Sequence, residues 1–248
     1  MRKTLLTPVA VAMLALGAGP ASAWEGFTIG GDPGYKNLSI TATGIYDISS
    51  GSALVPNRSD QPAGRFIVNV DANNSSHGGV LANSSSFYTY CVELTQYLAS
   101  PTDAGMNYQI VASTAQVTAA KLADLGKLYT LGFASSGTGD LGTGFQAAVW
   151  EVVYETAGTY NLSAGNISFG QGLSNKVSVA SLSAAQTLLD NLGTVSTPLY
   201  SLQVLHSEFK QDYLVATPVP EPEGYALALA GLACIGVFGR KLRAAKKA

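Results

Sequence analysis

Phe87-Tyr88-Thr89-Tyr90-Cys91-Val92-Glu93-Leu94 holds the one cysteine of this chain that lies outside the long apolar run near its C-terminus. Its alternation reads as a β-strand, with Tyr88, Tyr90, Val92 and Leu94 on one face and Phe87, Thr89, Cys91 and Glu93 on the other. If the first face is the core, Cys91 points away from it. That predicts a reachable thiol unless both faces are covered.

Working outward, the chain before this strand is rich in Gly, Ser, Asn and Thr, with short alternating runs such as Leu38–Thr43 and Arg65–Val70. Turn residues at Asp32-Pro33-Gly34 and Asn73–Gly79 separate them, so the region reads as strands and loops. After it, Tyr108–Ser113 is a further strand. The period then changes: Val117, Ala120, Leu122, Leu125, Leu128 and Tyr129 recur at helical spacing over Ala115–Leu131, with Lys121 and Lys127 expected outside. A second helix is expected from about Gly142 to Thr156 and a third from Ser181 to Gly193. Two last strands, Tyr200–Leu205 and Phe209–Ala216, follow. The sum is an α+β fold: a β-rich, sandwich- or barrel-like body with a helical insertion.

The ends have their own logic. Arg2-Lys3, the apolar run Leu5–Leu16 and Ala21-Ser22-Ala23 match the charged, apolar and small-residue parts of a secretory signal peptide, so residues 1–23 read as a leader and Trp24 as the first residue after it. Residues 24–217 form the exported body and 218–224 a proline-rich spacer, whose fixed φ angles disfavour helix and ladder alike. Residues 225–239 read as a single transmembrane helix and 240–248 as a basic tail held on the cytoplasmic side.

Lysine and arginine total 14 against 16 acids, and the two ends hold half of those cations and none of the acids. The body is therefore acidic, which disfavours nucleic acid as a partner. With Cys234 in the apolar run, Cys91 has no disulfide partner in the exported body. Its remaining roles are a packed thiol, an intermolecular bridge, a nucleophile, or a sulfur consumed in another bond. The histidines are His77 and His206. Spacing permits a Cys91-His206-Asp212 arrangement, but no nucleophile motif surrounds it. The body lacks ligands for zinc, Asp71–Asn74 lacks the spacing of a calcium loop, and no phosphate-binding glycine loop is present. No metal or cofactor is expected. On the second helix, Gln146, Trp150 and Val153 share a face, whereas Glu151 and Glu155 are expected as a solvated pair. An amide in that apolar setting needs partners, and a neighbouring backbone is one choice. A tolerated glutamine on a packed helix is the other.

Val219-Pro220-Glu221-Pro222, the apolar span, and Arg240, Lys241 and Arg243 together resemble the PEP-CTERM sorting tail. The resemblance implies a protein exported across the inner membrane of a Gram-negative bacterium, held transiently by its C-terminal helix, and cut by an exosortase. Its destination would be the cell surface or the biofilm matrix, in company with exopolysaccharide.

Tyr90-Cys91-Val92-Glu93 and Gln146-Ala147-Ala148-Val149-Trp150 resemble two motifs of the bacterial thioester domain family, also known for a Thr-Gln-X-Ala motif. Phe145 stands where that family usually has Thr. A third motif is matched in its second half by Gln211-Asp212-Tyr213-Leu214, with Lys210 in place of a hydrophobe. The resemblance implies an internal thioester between Cys91 and Gln211, with Gln146 as runner-up partner and Tyr90, Glu93, Gln146 and Trp150 in support. Such a domain binds amine-bearing targets covalently in a single turnover and is not an enzyme. The alternative is a non-covalent structural or exopolysaccharide-associated matrix protein on the same fold.

Overall fold

The computed structural model describes residues 25–31, 36–42, 46–47, 52–53, 57–70, 86–96 and 107–220 other than Thr138, Ala157 and Phe209, together with Leu232 and Ile235. The predicted leader, nearly all of the membrane helix and the basic tail lie outside these residues. So do Glu221, Pro222, Arg240, Lys241, Arg243, Cys234, Asp71–Asn74 and His77. No helix among the described residues is long and apolar enough to cross a membrane.

In chain order the strands before the helices are β1 (Glu25–Gly31), β2 (Lys36–Ala42), β3 (Tyr46–Asp47), β4 (Ser52–Ala53), β5 (Asn57–Ala63), β6 (Phe66–Val70), β7 (Ser86–Thr89) and β8 (Asn107–Val111). Then come α1 (Ala119–Gly132), α2 (Asp140–Tyr154), β9 (Ile167–Gln171), α3 (Val179–Asp190), β10 (Tyr200–His206) and β11 (Tyr213–Pro218). Three helices thus interrupt a set of antiparallel sheets, in line with the expected α+β class. A six-stranded sheet runs β11-β10-β8-β1-β6-β7 and a three-stranded one β5-β2-β9. Strand β9 is not among the expected strands: its Ile-Ser-Phe-Gly-Gln alternates over only Ile167 and Phe169 before Gly170 interrupts it.

The six-stranded sheet closes on itself just past β7. Cys91 forms an antiparallel bridge with Tyr213, Val92 N–H donates to the Asp212 carbonyl at 2.9 Å, and Leu214 N–H donates to the Tyr90 carbonyl at 3.2 Å. Closure leaves no free edge at this seam.

Helix α1 begins later than its periodicity suggests. Residues 114–117 form a turn, with Thr114 N–H bonded to the Val117 carbonyl, and Thr118 caps the helix by accepting from Lys121 N–H. Helix α2 is buried from Gly142 to Val153, as an apolar sequence on all sides requires. Gly144 permits its close crossing of α3, since a Cβ there would lie 2.7 Å from the Ser181 carbonyl oxygen. The Thr143 hydroxyl donates to the Ala63 carbonyl at 2.7 Å and accepts from Lys36 N–H at 3.0 Å, pinning α2 to β5 and β2.

Two expected surfaces are interior. Glu151 and Glu155 are buried because their carboxylates accept main-chain N–H groups of Asn161 and Ile167, at 2.6 and 2.8 Å. Lys121 is half-buried and donates its ammonium to the Val153 carbonyl, a placement that suits a cation at a helix C-terminus. The last strand starts at Tyr213, not at residue 209. It ends with Pro218 opposite Tyr200, one residue into the expected spacer, at a ladder end where a missing N–H is tolerated.

Candidate functional site

Cys91 sits at the seam and is fully buried. The expectation of a reachable thiol therefore fails, because both faces of the segment are covered: Tyr90, Cys91, Val92 and Leu94 are each no more than 2% exposed. Tyr88, expected in the core, is 46% exposed and carries the Arg65 guanidinium 3.7 Å above its ring. What covers Tyr90 is an aromatic cluster. Its ring meets Phe145 at 4.8 Å and Tyr129 and Phe133 edge-on, and its hydroxyl bonds Ser136. Phe145 thus packs on the residue next to the cysteine.

Helix α2 grips the cysteine from one side. Gln146 Oε1 accepts from Cys91 N–H at 3.0 Å and Gln146 Nε2 donates to the Cys91 carbonyl at 2.7 Å. The amide is committed at both ends to one residue's backbone, so of the two readings for Gln146 the brace is the one observed. Trp150 lies one turn on along the same stripe and is buried. A turn further, the Tyr154 hydroxyl accepts from Leu94 N–H at 2.8 Å. Gln146, Trp150 and Tyr154 are spaced four residues apart, so one helical stripe reads Cys91 to Leu94. Tyr154 was not singled out from sequence, although the same spacing that groups Gln146 with Trp150 continues to it.

Gln211 approaches from the other side. Continuing the Cys91–Tyr213 register places Glu93 opposite Gln211, which makes Gln211 the diagonal neighbour of Cys91, within reach of a long side chain. Gln211 Nε2 donates to the Glu93 carbonyl at 3.0 Å, and the Cys91 thiol donates to that same oxygen at 2.9 Å. Sulfur and amide therefore converge on one acceptor. Glu93 N–H in turn points at the sulfur, 3.3 Å away. Gln211 Oε1 is buried with no hydrogen-bond partner, as is Trp150 Nε1. Such orphans are rare in folded interiors.

The electrostatics oppose charge here. Burial first, and the nearby Glu93 carboxylate, push the Cys91 thiol far above its ordinary range, against the opposing hydrogen bond from Glu93 N–H. Burial also raises Glu93, whose carboxylate accepts from the Thr95 hydroxyl at 2.6 Å. Asp212 is raised by burial too, against the stabilising contacts of His206 and Ser207 N–H. His206 Nδ1 lies 2.9 Å from Asp212 Oδ2, one step beyond the Leu205–Tyr213 pair at the end of the β10–β11 ladder. The sulfur's hydrogen bonds go to Glu93, none to His206, so the imidazole is paired with the carboxylate but not with the thiol. Among the described residues no group of three or more His, Cys, Asp or Glu is placed to hold a metal ion.

No family model matches the chain, and no curated protein does. Among solved structures it is similar to the N-terminal thioester domain of a surface protein from Clostridium perfringens, solved as a cysteine-to-alanine mutant. The TM-score is 0.38 and the identity 12%, over 73% of this chain and 99% of that one.

Proposed function

We propose that the chain is an exported cell-surface or biofilm-matrix protein whose body holds a thioester between Cys91 and Gln211, for covalent attachment to amine-bearing targets. In closure the Cys91 sulfur bonds to the Gln211 side-chain carbonyl carbon, the carbon–nitrogen bond breaks, and the amide nitrogen leaves as ammonia carrying the thiol proton. In attachment an amine takes the place of the sulfur, and Cys91 regains a proton. Each molecule reacts once, so the protein is a covalent binder and not an enzyme.

The observation that carries this reading is the convergence of the Cys91 thiol and the Gln211 amide on the Glu93 carbonyl oxygen. Gln211 is preferred over Gln146 because the latter's amide is engaged at both ends by the Cys91 backbone. The full burial of Cys91, with Trp150 and Gln211 also buried, supplies the exclusion of water that a thioester needs to survive. The sorting half of the proposal rests on the sequence of the tail: exosortase is the processing partner, and the membrane holds the chain only until the cut. Val219 and Pro220 are exposed beyond β11, which suits access by a protease.

A second reading has its own support. A thiol pushed far up by burial is a poor nucleophile, which favours a non-covalent, exopolysaccharide-associated matrix protein with an inert Cys91. Intact mass of the purified protein separates the two. A thioester leaves the mass short by one ammonia, a deficit absent in Cys91→Ala and Gln211→Ala and replaced by an adduct on treatment with methylamine. Full mass in the untreated protein, with a thiol that alkylates once unfolded, overturns the covalent reading.

A further inference from the structure

The sulfur of Cys91 carries negative charge at one moment of the proposed chemistry that the resting thiol never shows. When an amine displaces it, the carbon–sulfur electron pair departs with sulfur; when the ring closes, the attacking sulfur gives up its proton. In this interior, burial sets the thiol against ionisation, so an anionic sulfur must find donors in its immediate surroundings. Two are in place. Glu93 N–H points at the sulfur from 3.3 Å. Trp150, 2% exposed, stands between Gln146 and Tyr154 on the helical stripe that meets Cys91 and Leu94; its buried indole N–H completes no hydrogen bond and is among the groups that favour the charged sulfur. Nothing else in the core uses that N–H.

Its position is set by the helix. Gln146 locks α2 to the Cys91 backbone at 3.0 and 2.7 Å, and Tyr154 holds Leu94 N–H at 2.8 Å, so Trp150 is held between two fixed points on one stripe. The neutral thiol satisfies itself by donating to the Glu93 carbonyl and has little need of a further donor. A charged sulfur does.

We infer that the Trp150 indole N–H and the Glu93 main-chain N–H form a two-donor cradle for the anionic Cys91 sulfur, which makes Trp150 a catalytic residue of thioester closure and opening. The inference rests on the thioester reading. In opening, the amine attacks the Gln211 carbonyl carbon, the carbon–sulfur bond breaks with its pair held on sulfur between the two N–H groups, and the proton lost by the amine nitrogen balances the one that restores the thiol.

The experiment uses the full chain and methylamine as the amine. Trp150→Phe keeps an aromatic ring and removes the N–H together with the fused five-membered ring, so it also leaves a small cavity. Loss of the ammonia deficit in methylamine should slow about tenfold or more in the folded variant, whose unfolding temperature falls by the cost of the cavity. An unchanged opening rate in the folded variant overturns the inference. A second measurement stands apart from the thioester. The chain has two tryptophans, so in a Trp24→Phe, Gln211→Ala background, which cannot close, a single indole N–H resonance remains. It should move on adding Cys91→Ala; a stationary resonance overturns the cradle. If the unmutated protein shows no ammonia deficit, the thioester reading fails by itself, and the resonance still decides whether the indole faces the sulfur. If Trp150→Phe does not fold, the same resonance decides.

Discussion

Helix α2 presents Gln146, Trp150 and Tyr154 along one stripe and Glu151 and Glu155 along another, and both stripes meet main-chain groups of a distant segment. On the first, the amide and the phenol fix Cys91 and Leu94. On the second, the carboxylates fix Asn161 and Ile167. The difference lies in what is left over. Around Cys91 a carbonyl oxygen of Gln211 and the N–H of Trp150 remain unpartnered beside a sulfur, which is what a reaction can use. Around Glu151 the unpartnered atom is one carboxyl oxygen, and burial pushes that group up to about 7, so it holds a proton more readily than an ordinary carboxyl. Buried polarity alone does not mark a site; unpartnered groups that converge on a nucleophile do.

The comparison can be broken at its strongest point first. Gln146→Ala strips both partners from the Cys91 backbone in a sealed interior. The expected loss is about 2–4 kcal/mol of stability by chemical denaturation, since each stranded main-chain group costs about 1–3 kcal/mol. Any ammonia deficit should vanish with it. On the other stripe, Glu155→Ala leaves Ile167 N–H unpaired and should cost about 1–3 kcal/mol while leaving the mass and the chemistry of Cys91 unchanged. A change in that chemistry would show that the stripes are coupled.

Glu151 gives a smaller, pH-dependent effect. Its folded value is raised above its unfolded one, so the stability it contributes is full below about pH 4.5 and is lost as pH rises through about 7. The loss should amount to about 1–2 kcal/mol after allowance for partial screening. Glu151→Gln should flatten that slope in melting temperatures taken from pH 5 to 8. The smallest effect belongs to the exposed surface: Arg65→Met removes the cation over Tyr88 and should cost no more than about 1 kcal/mol, with no change at Cys91.

Much of the architecture was legible because it is written in period. The change from alternation to helical spacing after residue 113 announced α1, and the strongly apolar α2 announced itself. The short strand β9 was not legible, since its alternation spans only Ile167 and Phe169 before Gly170 interrupts it. The carboxylates of α2 misled for a definite reason. Four-residue spacing of acids reads as a solvated pair, and only the loop between Asn161 and Ile167, folded back over the helix, turns them inward. Lys121 was misread in the same way, because the carbonyl it meets belongs to the end of another helix.

At the site, the sequence pattern picked out Cys91, Gln146 and Trp150 and put the last two on one helical face, whereas Gln211 came only from the family resemblance. The sequence determined most of the elements, the acidic composition between the two ends and the odd cysteine, all of which follow from local pattern and composition. What only the tertiary structure decided is who meets whom. Closing the sheet at Cys91 and Tyr213 joins segments more than a hundred residues apart in sequence, brings Gln211 to the carbonyl that Cys91 already uses, and buries the thiol on both faces. Periodicity assigns a residue to a face of its own element. The register at a barrel seam assigns its neighbours across the fold, and no local pattern carries that register.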